Sequence, residues 1–95
     1  MAQRPKNKAA LITGGAQRLG AAMARKLAGL GYDIALHYNR SRRPAEILQR
    51  AIEHNGGACR LFPADLADQE GAGNLIAQVF KVFPGLNLLV NNASV

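Results

Sequence analysis

The stretch that decides the fold of this chain is Thr13-Gly14-Gly15-Ala16-Gln17-Arg18-Leu19-Gly20. A short apolar run, residues 9–12, precedes it, and residues 21–27 follow it with the apolar spacing of a helix. The stretch therefore predicts a turn between a strand and a helix, in which Gly14 adopts a positive φ. A helix N-terminus presents unpaired N–H groups and a partial positive charge, both of which attract phosphate. A bound nucleotide is the first functional hypothesis, and an ordinary turn without a ligand is the alternative.

The spacing of the glycines distinguishes between three kinds of nucleotide-binding loop. A Walker-type loop requires Lys and then Ser or Thr after its last glycine, but Ala21 and Ala22 follow Gly20. The compact pattern Gly-x-Gly-x-x-Gly also fails, because Ala16 stands where its second glycine would be. The chain instead carries a looser Thr-Gly-x-x-x-x-x-Gly loop, in which Gly20 is small enough for the helix to pack on the strand.

This loop resembles that of the short-chain dehydrogenases and reductases, which reads Thr-Gly-x-x-x-Gly-x-Gly. Thr13, Gly14 and Gly20 match the family pattern, whereas Arg18 replaces the middle glycine. The variant Thr-Gly-x-x-x-Arg-Leu-Gly is similar to the pteridine reductases and the bacterial dihydromonapterin reductases. The resemblance implies that Arg18 lies beside the cofactor pyrophosphate or the pterin ring, where its planar guanidinium would suit either partner. The loop residues that we predict to bind the cofactor are Thr13, Gly14, Gln17, Arg18, Leu19 and Gly20.

Composition places the chain among globular proteins. Its 95 residues are enough for one domain or part of one, and 48% of them are apolar while 19% are charged. No run of about 18 apolar residues is present to span a bilayer, and residues 1–8 lack the apolar segment of a signal peptide. The single cysteine, Cys59, cannot form an internal disulfide. We therefore predict a cytoplasmic protein with no membrane partner.

The net charge of +6 is concentrated in residues 1–60, whereas residues 61–95 are slightly acidic. Such a bias suits an anionic partner, and nucleic acid has to be considered. The sequence has no helix-turn-helix spacing, no cluster of zinc ligands and no aromatic platform. We therefore predict neither a nucleic-acid partner nor a metal site.

Apolar runs alternate with helical segments along the chain, which is typical of βαβ units. The predicted strands cover residues 9–13, 32–38, 58–64 and 86–90. The predicted helices cover residues 18–30, a segment that opens at Pro44 and ends at residues 55–57, and residues 69–82. Their predicted apolar faces are Leu19, Met23, Leu27 and Leu30; Ile47, Leu48, Ala51 and Ile52; and Ala72, Leu75, Ile76, Val79, Phe80 and Phe83. We predict an α/β fold, a partial Rossmann-like doubly wound parallel sheet (βαβαβαβ) with strand order 3-2-1-4.

The residues after the second strand indicate which nicotinamide cofactor is used. Folds that select NAD carry a carboxylate about 20 residues past the glycines, but this chain reads His37-Tyr38-Asn39-Arg40-Ser41-Arg42-Arg43 there. A 2′-phosphate would bind Arg40 and accept a hydrogen bond from Ser41. Pteridine reductases carry a similar His-Tyr-x-Arg-Ser run and use NADPH, so the resemblance supports NADP(H). A basic surface loop is the alternative. The residues predicted to bind NADP(H) in this segment are His37, Tyr38, Asn39, Arg40 and Ser41.

The pair that follows the third strand, Asp65-Leu66, is similar to an Asp-Leu pair of the family. The resemblance implies that Asp65 accepts a hydrogen bond from the adenine amine and that Leu66 covers the ring. Alternatively, Asp65 or Asp68 caps the third helix. Both interpretations can hold, because two aspartates are available.

The segment that follows the fourth strand, Asn91-Asn92-Ala93-Ser94, resembles the Asn-Asn-Ala-Gly motif of the family. The resemblance implies that Asn91 ties strands together and that Ser94 bonds to the pterin or to a phosphate. The residues predicted to bind the cofactor in this segment are Asn91, Asn92 and Ala93. Polar groups just past the carboxyl end of a parallel strand are where ligands bind in such sheets. With Arg18, Ser94 is the predicted substrate-binding residue.

The catalytic Ser, Tyr and Lys of the family have no counterpart in this chain. In the family the Lys stands four residues after the Tyr, which donates the proton, but here Leu36 follows Tyr32 and Arg42 follows Tyr38 at that spacing. We therefore predict that residues 1–95 are the N-terminal, NADP-binding portion of a longer single-domain reductase, inactive alone. We expect this longer reductase to be a homo-oligomer that reduces a pterin or dihydropteridine. The alternatives are a 3-oxoacyl-thioester or ketone reductase of the same family and a non-catalytic NADP-binding module.

Overall fold

A computed structural model describes residues 7–92 of the chain. The elements follow in the order β1 (Ala9–Thr13), α1 (Arg18–Gly29), β2 (Asp33–Tyr38), α2 (Arg42–His54), β3 (Cys59–Pro63), α3 (Gln69–Val82) and β4 (Leu86–Asn91). The strands form a four-stranded parallel sheet in the order β3-β2-β1-β4. The predicted Rossmann-like α/β fold and its strand order are confirmed.

The predicted boundaries of β1 and α3 match the structure, and most of the others differ by a single residue. The largest difference is at α2, which begins at Arg42 rather than at Pro44. Pro44 still lies in the first turn, where backbone N–H groups have no intrahelical acceptor, so its missing N–H costs the helix nothing.

The two central strands, β1 and β2, are buried along their whole length. Successive side chains of a strand point to opposite faces of the sheet. Ala10 and Ile12 accordingly pack with α1 and α2, whereas Ala9 and Leu11 pack with α3. Because helices cover both faces, residues 9–12 and 34–36 form apolar runs, as buried parallel strands are expected to do. Thr13, Asp33 and His37 are the buried polar residues of these two strands.

The predicted apolar faces of the three helices are partly wrong. Five of the predicted core side chains are exposed: Leu19, Leu30, Ile47, Ile76 and Phe80. Helix α1 instead packs through Gly20 and Ala24, which are buried, and through Ala28 one turn later. This row of small residues allows α1 to approach the sheet closely, and the spacing of its leucines does not reveal that row.

Gly14 adopts the left-handed conformation that the sequence predicts, and Gly31 adopts it as well. Gly14 has φ 61° in the turn after β1, and Gly31 has φ 96° just beyond α1. An L side chain is strained at such angles, so both turns depend on glycine. Within residues 7–92, no helix combines the length and the apolarity needed to cross a bilayer.

Candidate functional site

The carboxyl ends of the strands border a cleft of about 350 Å³. It is lined by Gly14, Ala16, Gln17, His37, Tyr38, Asn39, Arg40, Ser41 and Asn92. Open parallel sheets bind ligands outside the carboxyl ends of the strands, where the connections diverge to opposite faces. The structure thus brings half of the predicted cofactor-binding residues together at the position expected of a ligand site.

The glycine loop between β1 and α1 is held from both sides. On one side, the N–H of Gly14 donates to Nδ1 of His37 at 2.9 Å, and the N–H of Gly15 donates to the His37 carbonyl at 3.1 Å. On the other side, Nδ2 of Asn92 donates to the Gly14 carbonyl at 3.2 Å. Strands β2 and β4 therefore fix the loop between them.

The N-terminus of α1 opens beside this loop without a side-chain cap. Gln17 occupies the N-cap position but makes no capping hydrogen bond, and the first turn contains no acidic residue. The first N–H groups of a helix have no intrahelical acceptor, so this end can receive an anion.

Gly20 confirms that a small residue is required in the first turn of α1, although its contacts differ from the predicted ones. A Cβ at this position would lie 2.7 Å from Nδ2 of Asn92 and 2.8 Å from the Gly14 carbonyl oxygen. Such distances are too short for a real contact. The first turn of α1 therefore packs closely against the glycine loop and Asn92, at the carboxyl end of the sheet.

Thr13, the last residue of β1, joins this strand to β4 and to the residue that follows β4. Its side chain is 5% exposed, and its hydroxyl lies 3.3 Å from the Val90 carbonyl and 3.3 Å from Oδ1 of Asn91. The same hydroxyl oxygen accepts a hydrogen bond from the N–H of Asn92 at 3.0 Å. The strand-tying contact that was expected of Asn91 is present, and Thr13 is its partner.

His37 lies beneath the cleft and is 2% exposed. Its Nδ1 accepts from the N–H of Gly14, which obliges Nε2 to carry the ring hydrogen of a neutral imidazole. Nε2 lies 2.8 Å from the Ala64 carbonyl and donates to it. Both ring nitrogens are thus bonded to the main chain, so neither is available for the direct cofactor contact that the sequence predicts.

Arg40 and Arg42, two of the three arginines that follow β2, have different surroundings. Arg40 lines the cleft together with Ser41, whose Oγ accepts a hydrogen bond from Nε2 of Gln17 at 3.3 Å. The hydroxyl proton of Ser41 can then be donated to a ligand. Arg42 instead forms an ion pair with Glu46 at 3.2 Å, which raises the pKa of Arg42. Arg40 is therefore the cation that faces the cleft.

The remaining predicted residues do not line this cleft. Asp65 accepts from the N–H of Ala67 at 3.0 Å, while Asp68 caps α3 by accepting from the N–H of Glu70 at 3.0 Å. The capping role therefore belongs to Asp68. The side chains of Arg18 and Leu19 are exposed, and Leu66 lies in a separate groove between α3 and β4. Ala93 and Ser94 lie outside the described residues.

A parallel sheet in this order, with a glycine turn before its first helix, defines the class of Rossmann-like α/β proteins. Within that class, a family model described as short chain dehydrogenase matches residues 8–95. The chain belongs to the short-chain dehydrogenase family.

Solved structures of the family support this assignment. The chain is 39% identical to a short chain dehydrogenase from Burkholderia cenocepacia in complex with NADP, with a TM-score of 0.88 and coverage of 98% of this chain and 38% of that one. It is 36% identical to FolM alternative dihydrofolate reductase 1 from Brucella suis, also in complex with NADP, with a TM-score of 0.81 and coverage of 96% and 36%. The second likeness supports the pteridine-reductase branch.

Among curated proteins, the chain is 34% identical over 88 residues to the 3-oxoacyl-[acyl-carrier-protein] reductase FabG of Staphylococcus aureus. The match covers 93% of this chain and 36% of that protein. The chain spans about a third of the length of the curated relatives that it matches.

Proposed function

We propose that this chain is the NADP(H)-binding portion of a short-chain reductase whose substrate is a pterin or dihydropteridine. The observation that carries the cofactor assignment is the placement of Arg40 and Ser41 in the cleft beside the glycine loop. The residues that line the cleft include no carboxylate, which NAD-selective folds use to bind the ribose hydroxyls. A 2′-phosphate, with close to two negative charges, would find charge-assisted hydrogen bonds there.

The other end of the proposed cofactor site is the N-terminus of α1. Its uncapped first turn and the close approach permitted by Gly20 suit a pyrophosphate, which would accept hydrogen bonds from backbone N–H groups. The exposed guanidinium of Arg18 lies on the same turn and can add a forked pair of hydrogen bonds. Asp65 and Leu66 are proposed to contact the adenine, and Asn91, Asn92 and Ala93 to border the nicotinamide side.

Bound NADPH would supply the hydride for the reduction. The chain contributes residues that bind and orient the cofactor, but no Tyr is followed by Lys at the spacing that the family uses for proton donation. We therefore propose that residues 1–95 are the N-terminal portion of a single-domain reductase, cytoplasmic and homo-oligomeric when whole, and that this portion does not turn over alone.

The pterin assignment is supported by Arg18 in the glycine loop, by Ser94, and by the likeness to the FolM dihydrofolate reductase. The likeness to FabG favours a second candidate, a 3-oxoacyl-thioester reductase. A steady-state assay of the whole enzyme with NADPH, supplied in turn with dihydrobiopterin and with a 3-oxoacyl thioester, separates the two. Turnover of the thioester alone would overturn the pterin assignment.

The cofactor assignment is tested by calorimetric titration of the chain with NADPH and with NADH. We expect NADPH to bind more tightly, and Arg40→Ala to weaken NADPH binding about 10- to 100-fold, because a hydrogen bond to a charged group contributes about 1.5–3 kcal/mol. NADH binding should change little.

The matched control is Arg42→Ala. It also removes one positive charge, two residues further along the chain, but the side chain that it removes is paired with Glu46. We expect it to change NADPH affinity less than about threefold, the effect of a screened surface charge. Equal affinity for NADPH and NADH in the wild type, or equal losses in the two variants, would contradict the proposal.

A further inference from the structure

We infer that His37 is a positioning residue of the cofactor site, which acts as the neutral imidazole with its hydrogen on Nε2. In this state it holds the glycine loop and the segment after β3 in fixed relative positions. The inference rests on the proposed function only where it concerns NADPH, because the tautomer and its contacts belong to the chain itself.

Three segments of the chain meet at His37. Its Nδ1 accepts from Gly14 of the glycine loop at 2.9 Å, and its carbonyl accepts from Gly15 of the same loop at 3.1 Å. On the opposite side of the ring, Nε2 donates to the carbonyl of Ala64, just after β3, at 2.8 Å. His37 is 2% exposed, so solvent cannot replace these partners without rearrangement.

These contacts determine which donors a bound phosphate would meet. The N–H groups of Gly14 and Gly15 are both occupied by His37 and cannot face a ligand. The amides that remain for an anion are those of the first turn of α1. Gly14 has φ 61°, and this conformation sets the direction in which the chain enters α1. The hydrogen bond from Gly14 to His37 stabilises that conformation. His37 therefore positions the α1 N-terminus without touching the ligand through its nitrogens.

The arrangement requires an uncharged ring. An imidazolium donates from both nitrogens and accepts at neither, so a proton on Nδ1 would face the N–H of Gly14 and break that bond. The charged and titratable side chains nearby are Tyr38 and Arg40, which line the same cleft, and Asp65, which adjoins Ala64. Arg18 of the glycine loop is exposed, and Asn92 carries no charge. The neutral ring is therefore the form of His37 that holds the glycine loop.

The first test is nitrogen-15 NMR spectroscopy of the chain without cofactor. We expect the His37 ring at neutral pH to show a protonated Nε2 and a bare, accepting Nδ1. A protonated Nδ1 at neutral pH would overturn the inference.

The second test compares NADPH affinity at pH 8 in two variants of His37. His37→Asn places an amide oxygen near the position of Nδ1, so it can accept from Gly14 but cannot titrate. His37→Phe keeps a ring but removes both hydrogen bonds. We expect His37→Asn to bind within about threefold of the wild type at pH 8, and His37→Phe to bind about tenfold more weakly, since an unpaired buried group costs about 1–3 kcal/mol.

Equal NADPH affinity of His37→Asn and His37→Phe would overturn the inference while leaving NADPH binding intact. Absence of NADPH binding in the wild type would instead overturn the proposed function, and the NMR measurement would still decide the tautomer of His37.

Discussion

Cys59, the first residue of β3, shows how burial changes the chemistry of a single side chain. The residue is 1% exposed, and burial, with a smaller effect from the charge of Glu53, raises the pKa of its thiol from 9.0 to about 12. Above about pH 9 the unfolded chain loses this proton while the folded chain keeps it. The free energy of unfolding therefore decreases as pH rises through this range. We expect urea unfolding between pH 8 and pH 11 to show a steeper decrease for the wild type than for Cys59→Ala.

The other ionisable groups are common to both proteins, so the difference between the two pH profiles isolates Cys59. A wild-type profile that parallels the variant would contradict the prediction. Ellman's reagent provides an independent measurement, because only the thiolate reacts. It should modify Cys59 at neutral pH only when the chain unfolds.

Residue roles were predictable from the sequence where they depend on neighbours along the chain. The positive φ of Gly14 and the capping of α3 by Asp68 both follow from local patterns, and both are confirmed. The role of His37 was not predictable, because its partners Gly14 and Ala64 lie 23 and 27 residues away. The same is true of Thr13, whose hydroxyl contacts a strand 77 or more residues later.

At the scale of elements, two glycines of α3 offer a matched pair. A Cβ at Gly73 would meet nothing within 4 Å, whereas a Cβ at Gly71 would lie 2.5 Å from the Asp65 carbonyl oxygen. We expect Gly73→Ala to stabilise the fold by about 1 kcal/mol, the difference in helix propensity. Gly71→Ala should destabilise it by about 1–3 kcal/mol, because backbone has to move. Urea unfolding followed by circular dichroism measures both changes in the free energy of unfolding. Changes of the same sign in the two variants would contradict the prediction.

The elements themselves were largely predictable, but the faces of the helices were not. Residues 9–12 of β1 and 34–36 of β2 are apolar because helices cover both faces of the sheet, and apolar runs of this kind are visible in the sequence. The row of Gly20, Ala24 and Ala28 that α1 turns to the sheet is not visible in this way, because small residues give a weak hydrophobic signal. Leu19 and Leu30 dominate the periodicity of α1 although both are exposed.

For the whole molecule, the uncovered surface beside β4 has the largest consequence. Among the described strands, β4 pairs only with β1, and Leu89 is 54% exposed on it. Leu89 lines one apolar groove with Ile76 of α3, and Val90 lines another with Leu27 of α1. An unpaired strand edge flanked by apolar surface favours association with further copies. We expect sedimentation velocity to show species larger than the monomer, in proportions that increase with the concentration of the chain.

Leu89→Lys places a charge on the exposed edge strand and should shift this distribution towards the monomer at equal concentration, because lysine on an edge opposes strand pairing. Ile47→Lys is the matched control, since Ile47 is equally exposed, at 56%, but lies on α2. It adds the same charge away from β4, so a general effect of net charge would appear in both variants. If the wild-type chain sediments as a single monomeric species at all concentrations, the surface beside β4 does not drive association and the prediction is wrong. Equal shifts in the two variants would instead assign the association to overall charge rather than to the edge.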